Sequence, residues 1–167
     1  MSAGGDKPTE VSETKNDEFC FPIFSNGTTN KGLYGFGKEP RITKPSVTIS
    51  ARGTIGYTQL RLESYIPIVR LLSVTPRTSD TSVEFLFCYL KSSTIEGFGT
   101  TQQQMTVPVI KKKRLLIPDL QTMIDFTSVV RSIFTIINSY ENESKGLNEV
   151  RDSLLLPLIS GEIAVFD

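Results

Sequence analysis

Residues 118–167 read PDLQTMIDFTSVVRSIFTIINSYENESKGLNEVRDSLLLPLISGEIAVFD, and this stretch decides the fold of the chain. Its apolar and aromatic residues recur at alternating intervals of three and four positions, with one polar gap at Glu143. This spacing predicts a helix of roughly 35 residues, about 50 Å long, with a narrow heptad seam. A stripe so long and narrow needs another helix to cover it, so the stretch predicts helix pairing. The seam consists of Phe126, Val129, Ile133, Ile136, Tyr140, Leu147, Val150 and Leu154.

The sequence also indicates where this helix begins and where it is weakest. Pro118 suits the first helical turn because its missing N–H would have no partner there, and Asp119 can begin the helix equally well. Gly146 lies inside the helical stretch and costs about 1 kcal/mol relative to alanine. We therefore expect a kink or frayed turn around residues 142–146.

Composition excludes several classes of function. The chain has 167 residues and no histidine, which removes a Ser-His-Asp triad and most zinc sites. The stretch GLYGFG at 32–37 lacks the full dinucleotide-binding pattern, and the sequence contains no Walker motif. The carboxylates of the helix fit a solvated face. The sequence thus predicts a protein that is not an enzyme and uses no metal or cofactor.

Three features bear on where the protein works. The N-terminal MSAGGDKPTE has no basic flank followed by an apolar run, so it does not resemble a secretory signal. No apolar run approaches the roughly 18 residues that a membrane span requires. Cys20 and Cys88 lie in apolar contexts and are interpreted as small buried hydrophobic residues rather than a disulfide. We expect a cytoplasmic protein with no membrane partner.

The zero net charge of the chain conceals a strong asymmetry. Residues 31–117 carry 13 Lys and Arg against 5 Asp and Glu, a net charge of +8. Residues 1–30 carry a net charge of −3 and residues 118–167 a net charge of −5. A basic body joined to an acidic helix predicts a polyanionic partner for the body. Random scatter of surface charge is the alternative on this observation alone.

The body combines short strands with a short helix, which places the chain in the α+β class: a small strand-rich domain followed by a long coiled-coil-forming helix. Apolar runs and alternation predict strands, and turn residues separate them. Pro22 argues that the first of these strands is an edge or irregular strand. The predicted strands lie at 19–24, 46–50, from 55 onward, at 65–74 and within 111–118, and the predicted helix lies at 82–93.

Polar loops at 25–39, 51–54 and 99–106 are the candidate binding elements. Asn and Gln can pair with adenine and Arg with guanine in the major groove, whereas Lys and Thr suit phosphate oxygens. For each loop alone an ordinary surface turn is the favoured interpretation, but together with the basic body the three loops favour nucleic acid. Candidates for reading bases are Asn26, Asn30, Arg52, Gln102 and Gln103; candidates for phosphate are Thr28, Lys31, Thr54, Thr101, Lys111 and Lys112; and Tyr34 is a further DNA-binding candidate.

The stretch LNEVRDSLLLPLISGEIAV (147–165) resembles the closing signature of the specificity subunit of type I restriction–modification enzymes. The proline of that signature arrives one residue late, at Pro157, and its lysine is absent, which affects the expected helix exit. Blocks in the body resemble the same family and follow in its order. They are FPIFSNGTTNKGLYGF (21–36), VTISARGTIG (47–56) and FGTTQQQMTVPVIKKKRLLIP (98–118).

The resemblance implies a DNA target recognition domain over residues 1–117 and a conserved helical region over 118–167. In that family a complete subunit carries two recognition domains and two such helices, packed as an antiparallel coiled coil. Each domain reads one half of a split DNA site, and the subunit docks methyltransferase subunits and, in some systems, a restriction subunit. This chain supplies one half, whose helix would pair with a second copy or a sister half-subunit. The family's domain opens with a short strand before a Gly-Gly turn, and whether that strand is missing before Gly4-Gly5 stays open.

Two other functions are compatible with the same residues. A truncated recognition domain could pair through its helix with intact specificity subunits without reading DNA. The Gly-rich loop could instead bind a small molecule. Selection from a randomised duplex pool separates the first alternative from sequence-specific recognition.

Overall fold

The computed structural model describes residues 1–93, 108, 110, 112 and 114–162. The chain divides into two compact units, Met1–Ile124 and Asp125–Asp167. The first unit contains the described strands and a short helix, and the second is most of one long helix. Because the unit boundary lies inside a continuous helix, the predicted domains 1–117 and 118–167 stay a prediction.

Short strands precede the helices in chain order, and this confirms the predicted α+β class with a strand-rich body and a long C-terminal helix. A two-residue strand directly precedes Gly4-Gly5. The described strands and α-helices are β1 (Ser2–Ala3), β2 (Phe21–Phe24), β3 (Leu33–Gly37), β4 (Ser46–Ile49), β5 (Thr58–Arg61), β6 (Ile66–Pro67), β7 (Leu72–Val74), α1 (Val83–Ser92) and α2 (Leu120–Ser160), and a short 3-10 segment lies at Thr29–Gly32.

The strands form two sheets. The four-stranded sheet has the order β1-β7-β4-β5, and every neighbouring pair in it is antiparallel. The three-stranded sheet has the order β3-β2-β6, in which β2 is antiparallel to β3 and parallel to β6. All residues of the inner strand β4 are buried, and α1 contacts both β4 and β5. The larger sheet therefore has a helix against its β4–β5 side.

Tyr65 joins the two sheets in the core and is 0% exposed. Its hydroxyl donates to Ser73 Oγ at 2.9 Å and lies 2.7 Å from Ser46 Oγ, so it contacts two strands of the larger sheet. Its ring packs edge-on against Phe24 of the smaller sheet, with centroids 5.7 Å apart. Burial raises the pKa of Tyr65, against the two serine contacts that lower it.

The predicted helix at 82–93 is confirmed as α1. Ser82 caps it, because its Oγ accepts a hydrogen bond from Phe85 N–H at 3.1 Å. Val83, Leu86 and Leu90 are spaced three and four residues apart and are all buried. The sequence therefore identified the element, whereas its buried face also includes Glu84 and Phe87.

The long helix α2 begins where the sequence predicts but, at 41 residues, is longer than the expected length of roughly 35. Asp119 caps it, accepting from Thr122 N–H at 3.1 Å and from Thr122 Oγ at 2.6 Å. The expected kink near residue 146 is wrong, since the helix runs unbroken through Gly146 and Pro157. Glycine keeps its N–H and costs only about 1 kcal/mol, and Pro157 lies three residues before the last helical residue, Ser160.

The predicted loop at 25–39 is only partly a loop, because Leu33–Gly37 forms the strand β3. The glycines of this stretch explain the difference. A Cβ on Gly35 would lie 2.7 Å from Ser12 O, and one on Gly37 would lie 2.5 Å from Ile66 Cδ1. These glycines serve close packing of the strand against its neighbours. Glycine content, which indicated a loop in the sequence, here allows a strand to approach other chain segments.

Other strand predictions need correction. Residues 65–74 form two strands rather than one, because a left-handed turn at Val69 and Arg70 separates β6 from β7. The strand expected from residue 55 begins at Thr58, and residues 114–118 are neither strand nor helix. Pro22 does not mark an edge strand, since β2 pairs on both sides, but a register shift follows it between Ile23 and Phe24.

The cysteines form no disulfide with each other. Cys20 and Cys88 are both free and half-buried, less buried than the sequence predicted. Burial raises the pKa of the Cys88 thiol. The prediction of free thiols is therefore confirmed, but the prediction that both side chains are buried is not.

Candidate nucleic-acid interface

The first candidate loop turns back on itself at residues 25–32. Ser25 N–H donates to Gly32 O at 2.9 Å and closes the loop. Asn30 and Lys31 have left-handed φ angles of 47° and 54°, and Gly32 follows at 83°. A Cβ on Gly32 would lie 2.8 Å from two carbonyl oxygens of the same loop, so only glycine closes it. The turn leaves residues 27–31 exposed.

Arg61 lies beneath this turn and is 7% exposed. Its Nη2 donates to the carbonyl oxygen of Lys31, and its Nε donates to Thr48 Oγ at 3.2 Å. Its guanidinium stacks over the Phe24 ring at 3.4 Å from the centroid. Burial lowers the pKa of Arg61 to about 10, so it stays charged at neutral pH. Arg61 therefore supports a left-handed turn that the chain would otherwise avoid.

Asn26 connects the first candidate loop to two other segments. Its Nδ2 donates to Val69 O, and its Oδ1 accepts from Ala51 N–H at 2.7 Å. Its own carbonyl accepts from Ser50 Oγ at 3.1 Å. The sequence predicted that Asn26 reads bases, but its amide already bonds to the main chain on both sides. Base reading by Asn26 stays a prediction that competes with these bonds.

The second candidate loop, residues 51–54, starts at Ala51, whose N–H donates to Asn26. Gly53 has a φ of 66°, and Ile55 N–H donates back to Gly53 O at 2.9 Å. Arg52 and Thr54 are exposed in this turn. Two loops predicted independently from the sequence are thus brought together by one side chain. We call residues 27–31, 52–54 and 69–70 the three-loop surface.

The remaining predicted DNA-binding residues lie apart from these hydrogen bonds. Tyr34 is on β3, 47% exposed, and its hydroxyl lies 2.6 Å from Lys7 Nζ. Lys112 is exposed, and its backbone N–H bonds to Pro108 O at 3.3 Å. No recorded contact links either residue to the three-loop surface within the part of the chain that the structure describes. Thr101, Gln102, Gln103 and Lys111 lie outside the described residues.

Acidic residues near the N-terminus neutralise part of the basic body away from the candidate loops. Lys38 Nζ pairs with Glu10 and, at 2.7 Å, with Glu18. The hydrogen bond that Lys38 donates to Glu10, followed by the one that it donates to Glu18, raises the pKa of Lys38. In contrast, no recorded ion pair engages Arg52 or Arg70 among the described residues.

Sequence reasoning missed Arg61 and Arg70. Arg61 follows Gln-Leu in a strand and looks like an ordinary solvent-facing cation, since nothing local shows that it reaches Lys31 O. Arg70 lies in what reads as a continuous apolar strand. Only the hydrogen bond from Asn26 to Val69 O reveals that the turn containing Arg70 adjoins the candidate loops. Among the described residues, no group of three or more His, Cys, Asp or Glu side chains could hold a metal ion.

The predicted seam of α2 is largely exposed. Seven of its eight residues, all except the half-buried Phe126, are between 43% and 67% exposed. Other exposed apolar residues, including Ile124 and Ile159, lie elsewhere on the helix. By length and composition, α2 is also the one described helix that could cross a membrane. The sequence, in which no uninterrupted apolar run is long enough, had not predicted this. A single helix of this kind is weak evidence of a membrane span.

A family model for the type I restriction modification DNA specificity domain matches residues 3–151. The chain belongs to this family. Its members are DNA-recognition subunits without catalytic function, which confirms that this specificity domain is not an enzyme. The family resemblance inferred from the sequence blocks is confirmed as well.

Similar proteins agree with this assignment, and one solved structure shares the fold. Two proteins assigned as type I specificity subunits in Mycoplasma pneumoniae are 32% and 31% identical over 133 and 138 residues, which is 80% and 81% of this chain. The chain covers 36% and 41% of those relatives, less than half their length. A type I system S subunit from M. genitalium shares the fold, with a TM-score of 0.70 at 17% identity, over 92% of this chain and 41% of that one.

Proposed function

We propose that the chain binds double-stranded DNA sequence-specifically, as a half-length type I specificity subunit. The observation that carries the proposal is the convergence of two candidate loops on Asn26 in a member of a DNA specificity family. Exposed Asn30 and Thr28 suit base edges or phosphate, and Arg52 can pair with guanine or phosphate. Backbone contacts would supply salt-dependent affinity, and base contacts would supply specificity.

The chain reads one half of a bipartite site, and its long helix supplies the spacing to the other half. The exposed seam supports pairing with an equivalent helix, and we commit to a second copy of this chain as the partner. The relatives are more than twice as long as the part that this chain matches. A second copy would therefore supply a length of chain comparable to the unmatched part of such a relative. A two-fold pair would read a symmetric, interrupted site.

The proposed subunit directs methyltransferase subunits, and in a complete system a restriction subunit, to that site in the cytoplasm. The decisive experiment incubates the full chain and its methyltransferase subunit with a pool of randomised duplexes, followed by sequencing of bound DNA. We expect enrichment of a defined split sequence. Absence of enrichment, combined with retained helix pairing to intact specificity subunits, would instead establish the non-reading interaction module.

A further inference from the structure

The turn at Val69 and Arg70 is unusual in its backbone and its exposure. Both residues have left-handed φ angles, 51° and 59°. Left-handed φ is uncommon outside glycine, and a β-branched valine there is an outlier. Val69 is 49% exposed, and Arg70 is also exposed. No apolar burial of these two side chains explains why the chain keeps this conformation.

Backbone hydrogen bonds from the N-terminal segment hold the turn in place. Val69 N–H donates to Gly5 O at 2.9 Å, and Arg70 N–H donates to Gly4 O at 3.1 Å. A Cβ on Gly4 would lie 2.7 Å from the carbonyl carbon of Pro67, so glycine permits this approach. The surrounding fold thus imposes a strained turn. Such imposed strain is concentrated at functional sites in proteins.

Asn26 attaches this turn to the candidate DNA-binding loops. The same amide that accepts from Ala51 N–H donates to Val69 O. Each segment of the three-loop surface carries one cationic residue: Lys31, Arg52 or Arg70. The Arg70 guanidinium has no recorded hydrogen bond or ion pair among the described residues. A rigid turn therefore presents an uncommitted cation beside the other two loops.

We propose that Arg70 contacts a backbone phosphate of bound DNA and that Asn26 is the positioning residue for this contact. The proposal rests on the proposed DNA-binding function and adds a third loop to it. A guanidinium matches the geometry of phosphate and can bond to it in bidentate fashion. Because the turn is already fixed by Gly4, Gly5 and Asn26, little ordering is needed on binding.

The test is a double-mutant cycle on the full chain with its methyltransferase subunit, using the duplex enriched by selection. Kd is measured over a series of NaCl concentrations. Arg70→Gln should weaken binding about fivefold at 0.15 M salt and reduce the salt slope by about 1, as expected for one lost phosphate contact. The matched control is Arg77→Gln, which removes an exposed cation from another loop and should change neither quantity.

Asn26→Asp separates positioning from general stability. The carboxylate still accepts from Ala51 N–H but cannot donate to Val69 O. In that background Arg70→Gln should have little further effect, whereas Arg52→Gln should keep its full effect. If Asn26→Asp fails to fold, Asn26→Gln, which moves the intact amide by one methylene, replaces it in the cycle.

The outcomes distinguish this proposal from the function on which it rests. If the unaltered chain selects a sequence but Arg70→Gln leaves both Kd and salt slope unchanged, the phosphate contact is overturned while DNA recognition stands. Additive effects of Asn26→Asp and Arg70→Gln overturn the positioning role alone. Failure of the unaltered chain to enrich any sequence overturns the proposed function and the phosphate contact with it.

Discussion

Arg61 is a buried cation that forms no ion pair among the described residues. Its contribution to stability therefore comes from its hydrogen bonds and its stacking on Phe24. Replacing Arg61 with Met removes the donors to Lys31 O and Thr48 Oγ but also relieves the desolvation that lowers the pKa of Arg61. Because buried acceptors without a donor are costly, we expect the free energy of unfolding to fall by about 1–2 kcal/mol. Urea denaturation measures this change. Arg77→Met, at an exposed site, is the control and should be neutral.

Asp119 makes the start of α2 sensitive to acid. The side-chain hydrogen bond from Thr122, then its backbone N–H, lowers the pKa of Asp119 below its usual 3.8. A lowered folded-state pKa means that the cap stabilises fully above pH 3.8 and is lost as the pH falls through the folded-state pKa. The Thr122 amide resonance should therefore shift below pH 3.8 in an NMR titration. Asp119→Ala should show the uncapped resonance at every pH, and Asp119→Asn should retain the cap without titrating.

Gly146 is a site where α2 can be stabilised. A Cβ there meets nothing within 4 Å, so Gly146→Ala removes backbone freedom without a clash. We expect the free energy of unfolding to rise by about 1 kcal/mol, measured by urea or thermal denaturation followed by circular dichroism. Gly4→Ala is the contrasting change and should destabilise the first unit, since its Cβ would collide with the Pro67 carbonyl. A loss of stability in Gly146→Ala would contradict an unbroken helix.

The exposed seam of α2 makes a prediction about assembly. Glu substitutions at Ile133 and Ile136 place charges in the middle of the seam, and we expect the chain to sediment as a monomer. Ile124 lies nine residues before Ile133, about 180° around the helix, and is also exposed. Ile124→Glu should therefore leave the dimer intact. Equal sedimentation of the unaltered chain, the double variant at Ile133 and Ile136, and Ile124→Glu would show that the seam does not pair two copies.

Periodic elements were predictable, whereas turns that depend on distant contacts were not. The spacing of apolar residues indicated α2 because a helix repeats every 3.6 residues. The apolar run YIPIVRLLSV predicted one strand where the structure has β6 and β7. Nothing in that run signals that Gly4 and Gly5 hold Val69 and Arg70 in a left-handed turn. Glycine density was misread at β3, where the missing Cβ atoms permit close packing of a strand.

For the molecule as a whole, DNA affinity should depend on salt in proportion to its phosphate contacts. Arg52→Gln should lower affinity to a similar extent on all duplexes if Arg52 contacts phosphate, with a salt slope smaller by about 1. If Arg52 pairs with guanine, the loss should be confined to one base position. Competition binding with single-position variants of the selected duplex separates the two. Binding that is independent of salt would contradict electrostatic anchoring by the basic body.

The candidate site was predictable in its loops but not in its framework. Composition pointed to Asn30, Lys31 and Arg52 because polar and cationic loop residues suit nucleic acid. The sequence could not show that Asn26 bonds to main-chain atoms more than twenty residues away, or that Arg61 is buried under the first loop. Those roles arise from packing of the two sheets around Tyr65, which no local pattern encodes.

The framework of the three-loop surface has an evolutionary consequence. Arg61 and Asn26 fix the loops through main-chain atoms, namely the carbonyls of Lys31 and Val69 and the amide of Ala51. Main-chain atoms are the same whatever side chain is attached to them. Side chains at neighbouring positions can therefore change without disturbing the scaffold, and we expect that single substitutions there can alter the target preference as long as Arg61 and Asn26 are kept.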